Sequence, residues 1–192
     1  FAEGLFMPMG IEFGDGGVYV CEATQLIHLT DTDGDGKADV RKVILSGFGT
    51  ADAHQMINSI RYGPGGELWF TQGHHNFSRI ETPYGIKRLD KSAIWRYRPK
   101  TDMLQGFFNE STAGYNNWGV TYDDWGQLFH NSGADYGYYT VPGMVPTSHP
   151  LQLMDISHLF HGNKTTGLDF IGNSHMPQDL QGAAITSVFL AN

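Results

Sequence analysis

The segment DAHQMINSIRYGPGGELWFTQGHHN, residues 52–76, sets Asp52, His54 and Asn58 before one short apolar run and Gln72, His74, His75 and Asn76 after a second. An imidazole takes a proton from an alcohol near neutral pH, and a nearby carboxylate or amide orients its ring. His54 is therefore the candidate general base, with Asp52 as an orienting partner. His74 and His75 are the candidate substrate-binding groups. The plainer alternative for each is a loop histidine satisfied by hydrogen bonds. His158 and His161 stand three apart without a third ligand nearby and read as partly buried surface histidines.

A second cluster has the spacing of a metal site. In DTDGDGKAD, residues 31–39, Asp31, Asp33, Asp35, the Lys37 carbonyl and Asp39 follow the ligand order of an EF-hand-type calcium loop, with Gly36 at its tight turn. Hard oxygen ligands of this kind favour Ca²⁺ over softer metals. The twelfth loop position is Lys42 instead of Glu, so the usual bidentate ligand must come from elsewhere, with Glu22 or Asp52 as candidates. The alternative is an Asx-rich turn without metal. A bound ion here is expected to be structural, because it would neutralise crowded carboxylates away from the histidines.

For residues 52–58 and 72–76 to meet, the chain between them must fold back on itself. Its grammar is that of a β-hairpin, and it recurs: MGIEFGDGGVYVCEA (9–23), NSIRYGPGGELWFTQG (58–73) and WGVTYDDWGQLFHNSG (118–133) each alternate, turn on Gly, Asp or Pro, and alternate again. A weaker fourth copy starts at TGLDFIGNSHMP (166–177). The apolar positions Ile11, Ile60, Val120 and Leu168 lie roughly 50 to 60 residues apart, the period of a propeller blade. QLIHLT with RKVILSGF, and SAIWRYRP with MLQGFFN, supply outer strands. Residues 149–161 alone could hold a short helix.

The expected fold is thus all-β, a propeller of four-stranded blades, with residues 1–192 forming three blades and part of a fourth. In such a blade the start of the innermost strand and the end of its partner share one face, here termed upper. That geometry gathers Asp52, His54, Asn58, Gln72, His74, His75 and Asn76 with Tyr115, Asn116, Asn117, His130, Asn131 and Asp135 from the next blade. The 31–39 loop falls on the opposite, lower rim. The four tryptophans read chiefly as packing between blades.

Composition narrows the classes of function. Forty per cent apolar residues describe a globular chain, and a net charge of −8, from 12 basic and 20 acidic residues, argues against a nucleic-acid surface. The one basic stretch, Lys87, Arg88, Lys91, Arg96, Arg98 and Lys100, reads as a solvated strand edge. Cys21 is the single cysteine, which excludes an intrachain disulfide, and its apolar setting predicts burial. No apolar run approaches a transmembrane span, and a start at Phe1 without a signal sequence suggests processing or truncation.

The run from GFGTADAHQMINSIRYGPGGELWFTQG through NNWGVTYDDWGQLFHNSGADY, preceded by DTDGDGKAD, resembles the membrane-bound dehydrogenase domain of the PVC bacterial group. That family is related to the sorbosone and soluble quinoprotein glucose dehydrogenases. The resemblance covers most of residues 5–192 and implies a six-bladed ring, of which this chain would be about half. It implies oxidation of a sugar or other alcohol by pyrroloquinoline quinone, with His54 in the place of the general base. Where the relatives begin the next blade with Gly-His-Arg-Asn, this chain has Gly114, Tyr115, Asn116 and Asn117. Asn117 keeps the cofactor-contacting Asn, and Asn116 replaces the cofactor-contacting Arg. An extracytoplasmic, periplasmic location and a c-type cytochrome domain as electron acceptor are further implications. The alternative is a non-catalytic, calcium-stabilised propeller that binds carbohydrate or a protein partner.

Overall fold

Short alternating runs punctuated by glycine turns favour strands over amphipathic helices, and the described residues resolve them as strands. The computed structural model describes residues 1–107, 116–132, 137–140, 153–155 and 165–188. The first sheet is β1 (Pro8–Gly14), β2 (Gly17–Glu22), β3 (Gln25–Thr30) and β4 (Val40–Ser46), in that order and antiparallel. The second is built from β5 (Asn58–Tyr62) and β6 (Leu68–Gln72). A separate hairpin, β7 (Phe77–Ile80) and β8 (Lys87–Asp90), interrupts it before β9 (Ala93–Arg98) and β10 (Met103–Phe107) complete the order β10-β9-β6-β5. The third comprises β11 (Asn117–Tyr122), β12 (Leu128–Ser132), β13 (Gly137–Thr140) and β14 (Leu153–Asp155). β15 (Thr165–Phe170) and β16 (Ala184–Val188) form a last, two-stranded sheet.

All the hairpins read from the sequence are therefore present, and the fold is a propeller-type succession of four-stranded sheets. First strands are neighbours in space: β1 lies against β5, β5 against β11, and β11 against β15. Each carries an irregularity of register at its upper end, between Pro8 and Gly10, Asn58 and Arg61, Asn117 and Gly119, and Thr166 and Asp169. Such bulges re-aim side chains beside sites. Leu153–Asp155 is a strand where a short helix is expected for 149–161, and the rest of that segment, with His158 and His161, lies outside the described residues.

Two apolar layers hold the sheets together. Between the first and second, Tyr19, Cys21, Leu26 and Leu45 meet Ile60, Leu68, Phe70 and Trp95. Burial pushes the Cys21 thiol well up, in keeping with an inert packing role. Between the second and third, Trp69, Ile94 and Phe107 meet Val120 and Leu128. Ile60, Val120 and Leu168 are buried as their period implies, whereas Ile11 is 62% exposed. Ile11 and its neighbour Phe13 pair across the strands with Val20 and Val18 on the face of the first sheet turned away from the second. Ala2 and Leu5 from the N-terminal segment pack on the outer part of that face, against the layer of Val18, Val20, Ile27 and Leu29.

The β7–β8 hairpin is the feature that the sequence pattern does not reveal. Its Ile80 and Leu89 join the first apolar layer, and Arg79 N donates to the Gly47 carbonyl at 2.9 Å in the link that leaves the first sheet. Gly47 sits at φ +106°, and an added Cβ would lie 2.1 Å from the Arg79 oxygen, so only glycine fits. Of the basic stretch, Lys87 and Arg88 are on the two-stranded β7–β8 hairpin and fit the expected edge, whereas Arg96 and Arg98 do not. β9 runs between β6 and β10, and the Arg96 guanidinium lies 5.1 Å from the ring centres of both Trp69 and Phe107.

Candidate functional site

Asp52 caps a single 3₁₀ turn, Ala53–Gln55, accepting from His54 N at 3.2 Å through Oδ1. The same carboxylate oxygen pairs with His54 Nδ1. With the Nδ1 proton directed to Asp52, the Nε2 lone pair is left as an acceptor, and Gln55 Nε2 donates to it at 3.1 Å. The His54 side chain is 57% exposed, so its ring edge is open to a ligand. The Trp118 indole lies nearly parallel to it, centroids 6.4 Å apart at 21°. The expected base thus has an orienting carboxylate and an aromatic wall.

His74 and His75 follow β6 and pack edge to face, ring centres 4.1 Å apart. Burial holds the His74 imidazole below its ordinary range; the His75 and Lys91 charges add to this, and Asp52 partly opposes it. The carboxylate that pairs with His54 thus also acts on His74. Asn116 directly precedes β11 and Asn117 opens it. Both are buried, and their Oδ1 atoms, like Gln55 Oε1 and Trp118 Nε1, have no hydrogen-bond partner among the described residues. Buried polar atoms of this kind are costly unless something completes them.

Other residues expected at the mouth serve the framework. Asn58 is fully buried, donates to the Met56 carbonyl at 2.9 Å and accepts from Thr71 Oγ1 at 2.6 Å. Asn131 donates to Thr165 Oγ1 at 3.3 Å and the Gly167 carbonyl at 3.1 Å, tying β12 to the next first strand. His130 is in the interior, and burial pushes its imidazole down to about 3. Gln72 and Asn76 are interior as well. Tyr115 and Asp135 lie outside the described residues. Trp118, read as packing in the sequence, is the missed member; no signal in one sequence separates an indole beside a base from one between blades.

The acidic loop is on the opposite rim, between β3 and β4. One oxygen each of Asp31, Asp33 and Asp39 can gather within 4.8 Å. Asp35 turns instead to the backbone, accepting from Lys37 N at 2.8 Å. Asp31 accepts from Gly36 N at 2.9 Å and Gly34 N at 2.7 Å, bonds that hold its carboxyl below the usual range. Neither proposed substitute for the twelfth ligand is free. Glu22 accepts from Phe6 N at 2.6 Å and Arg41 Nη2 at 2.5 Å, and Asp52 is committed to His54.

No match was found among curated proteins. A solved structure described as a gluconolactonase superposes with a TM-score of 0.55 at 15% identity, over 85% of this chain and 53% of its own. That likeness shows the fold, and this chain spans about half the length of that structure. Looser superpositions join it to a virginiamycin B lyase from Staphylococcus aureus (TM-score 0.41, 14% identity, 84% of this chain and 59% of the other) and to a luciferin-regenerating enzyme (0.38, 11%, 97% and 78%). At the level of sequence, the profile of one family matches residues 1–185, and the chain belongs to that family, described as Domain of unknown function (DUF7133).

Proposed function

We propose that the upper mouth is the site of an oxidoreductase that oxidises a sugar or other alcohol with a quinone. The observation that carries this reading is the Asp52–His54 pair, which leaves Nε2 as the accepting nitrogen at an exposed ring edge. The substrate hydroxyl would take the place of the Gln55 amide on Nε2 and pass its proton there. Asp52 holds the tautomer and stabilises the imidazolium that forms. Trp118 fixes the ring plane, and His74 and His75 border the substrate.

Asn116 and Asn117 are buried with Oδ1 atoms that lack a partner among the described residues, acceptors that a donor on a planar cofactor, such as the pyrrole N–H of pyrroloquinoline quinone, would complete. When bound there, it supplies the two-electron acceptor for the hydride that leaves the carbinol carbon. The positive charge an anionic quinone attracts is not provided at residue 116. That single position favours the second reading, a calcium-stabilised propeller that binds carbohydrate or a protein without turnover.

In the wider protein, further blades closing a six-bladed ring and a c-type cytochrome domain would complete the site and accept its electrons. A periplasmic or other extracytoplasmic location suits this assembly and a calcium loop. Among the described residues, no helix is long and apolar enough to cross a membrane. The test is turnover of the full-length, quinone-loaded protein over a panel of sugars and alcohols. His54→Ala should abolish it with the thermal transition unchanged; unchanged turnover would remove His54 from the chemistry. Quinone titration of the same protein separates the readings, since glycan binding without quinone binding selects the second.

A further inference from the structure

We infer that the β7–β8 hairpin is a brace for the His54 turn, and that Asn76 is the positioning residue through which it acts; this rests on the reading of His54 as a base. The first sheet passes from its second strand to its third through the two residues Ala23 and Thr24. The second sheet, at the same point, inserts residues 73–92, which hold the hairpin. That insertion stands directly behind the turn bearing His54. Departures from a regular repeat concentrate where a protein needs something the repeat does not supply.

Hydrogen bonds trace the path. Gln72, buried at the end of β6, donates through Nε2 to the Lys91 carbonyl at 2.8 Å and the Asn76 carbonyl at 3.3 Å, while its Oε1 accepts from Trp95 Nε1 at 3.2 Å. Lys91 N donates to the Asn76 carbonyl at 2.7 Å, closing the base of the hairpin. Asn76, with no exposed surface, then faces the turn: Nδ2 donates to the Gln55 carbonyl at 2.5 Å, and Oδ1 accepts from Asp52 N at 3.4 Å. Gly73 N adds a second bond to the Gln55 carbonyl at 2.9 Å. Both ends of the segment that carries His54 are thereby held by one amide side chain. A carboxylate orients an imidazole only while the backbone of both is fixed, and here that backbone is held from the hairpin.

Gly73 offers an independent way to disturb the same contact. A Cβ at residue 73 would lie 2.7 Å from the Gln55 Cβ, so alanine there displaces the turn while leaving every hydrogen-bonding side chain in place. The hairpin tip provides a control: Tyr84 OH donates to the Thr101 carbonyl at 2.9 Å, at the far end from the turn.

The experiment is histidine-selective ¹⁵N NMR on the full-length protein without substrate, reading which ring nitrogen of His54 carries the proton. The wild type should show a single Nδ1–H tautomer. Asn76→Ala and Gly73→Ala should each lose it to a mixture, while Tyr84→Phe should keep it. Retention of the single tautomer in both Asn76→Ala and Gly73→Ala overturns the proposal, as does an equal loss in Tyr84→Phe. Should Asn76→Ala fail to fold, Gly73→Ala decides alone. Because no turnover is measured, an active His54→Ala enzyme would remove His54 from the chemistry without touching the brace.

Discussion

At the scale of single residues, Asp52 and Asp15 show how one carboxylate serves chemistry and another serves cohesion. Asp52→Asn keeps the shape of the turn but replaces an acceptor for Nδ1–H with a group that can also donate, so the tautomer is no longer enforced. Turnover should fall by about 10²–10⁴-fold, the range for a positioned general base, and steady-state kinetics on the quinone-loaded protein would measure it. Asp15 accepts from Tyr62 OH at 2.6 Å and Tyr19 OH at 2.8 Å, bridging the first two sheets. These bonds, Tyr62's first, lower its carboxyl below the ordinary 3.8. A carboxylate depressed in the native state stabilises fully above its unfolded value, and that contribution disappears as pH falls through the native one. The melting temperatures of wild type and Asp15→Asn should therefore differ at pH 6 and converge in acid below that window. That Asp52 and His54 stand just before β5, and His74 just after β6, was readable from residue order. The burial of His130 was not, because β12 runs on to Ser132, which sets His130 inside the strand on the same face as Leu128 instead of after its end.

Elements differ in how plainly they write themselves. Gly- and Asp-rich turns between alternating runs made the first two four-stranded sheets and the β11–β12 hairpin legible, as they did the acidic loop between β3 and β4; β13 and β14 were not read, and β14 falls where a short helix is expected. The β7–β8 hairpin escaped because its strands read as FSRI and KRLD, with polar and charged residues that cover the few buried positions, Ser78, Ile80 and Leu89. Its neighbour β9 tests the packing: Trp95 is fully buried between the sheets, and Trp95→Ala should cost about 3–5 kcal/mol in chemical denaturation. For the loop, calorimetric titration with Ca²⁺ should show one site that Asp33→Asn removes. No heat at millimolar Ca²⁺ would reduce it to an Asx-rich turn.

Across the whole molecule, apolar layers join the first sheet to the second and the second to the third, while the far face of the first sheet stays open at β1. Phe13 is 73% exposed there beside Ile11. If a further sheet covers this face in the full-length protein, Phe13→Lys should destabilise by about 1–3 kcal/mol, whereas an exposed site away from contacts would stay within about 0.5. Thermal unfolding of the full-length variant distinguishes the two. Ring closure was never legible from the pattern of one chain, since a blade's sequence is the same whether its neighbour is in the same polypeptide stretch or beyond it.

The strap formed by Ala2 and Leu5 bears on synthesis as well as on the finished fold. A sheet that folds before its neighbour is made has its apolar side bare in the meantime. Here the residues that emerge just ahead of β1 come back over Val18, Val20, Ile27 and Leu29, so the first sheet carries a cover of its own making. Such a cover guards the nascent chain against sticking to others while the remaining blades are still being made. Deleting residues 1–6 should therefore lower the refolding yield at high protein concentration far more than at high dilution, a difference that light scattering during refolding would record.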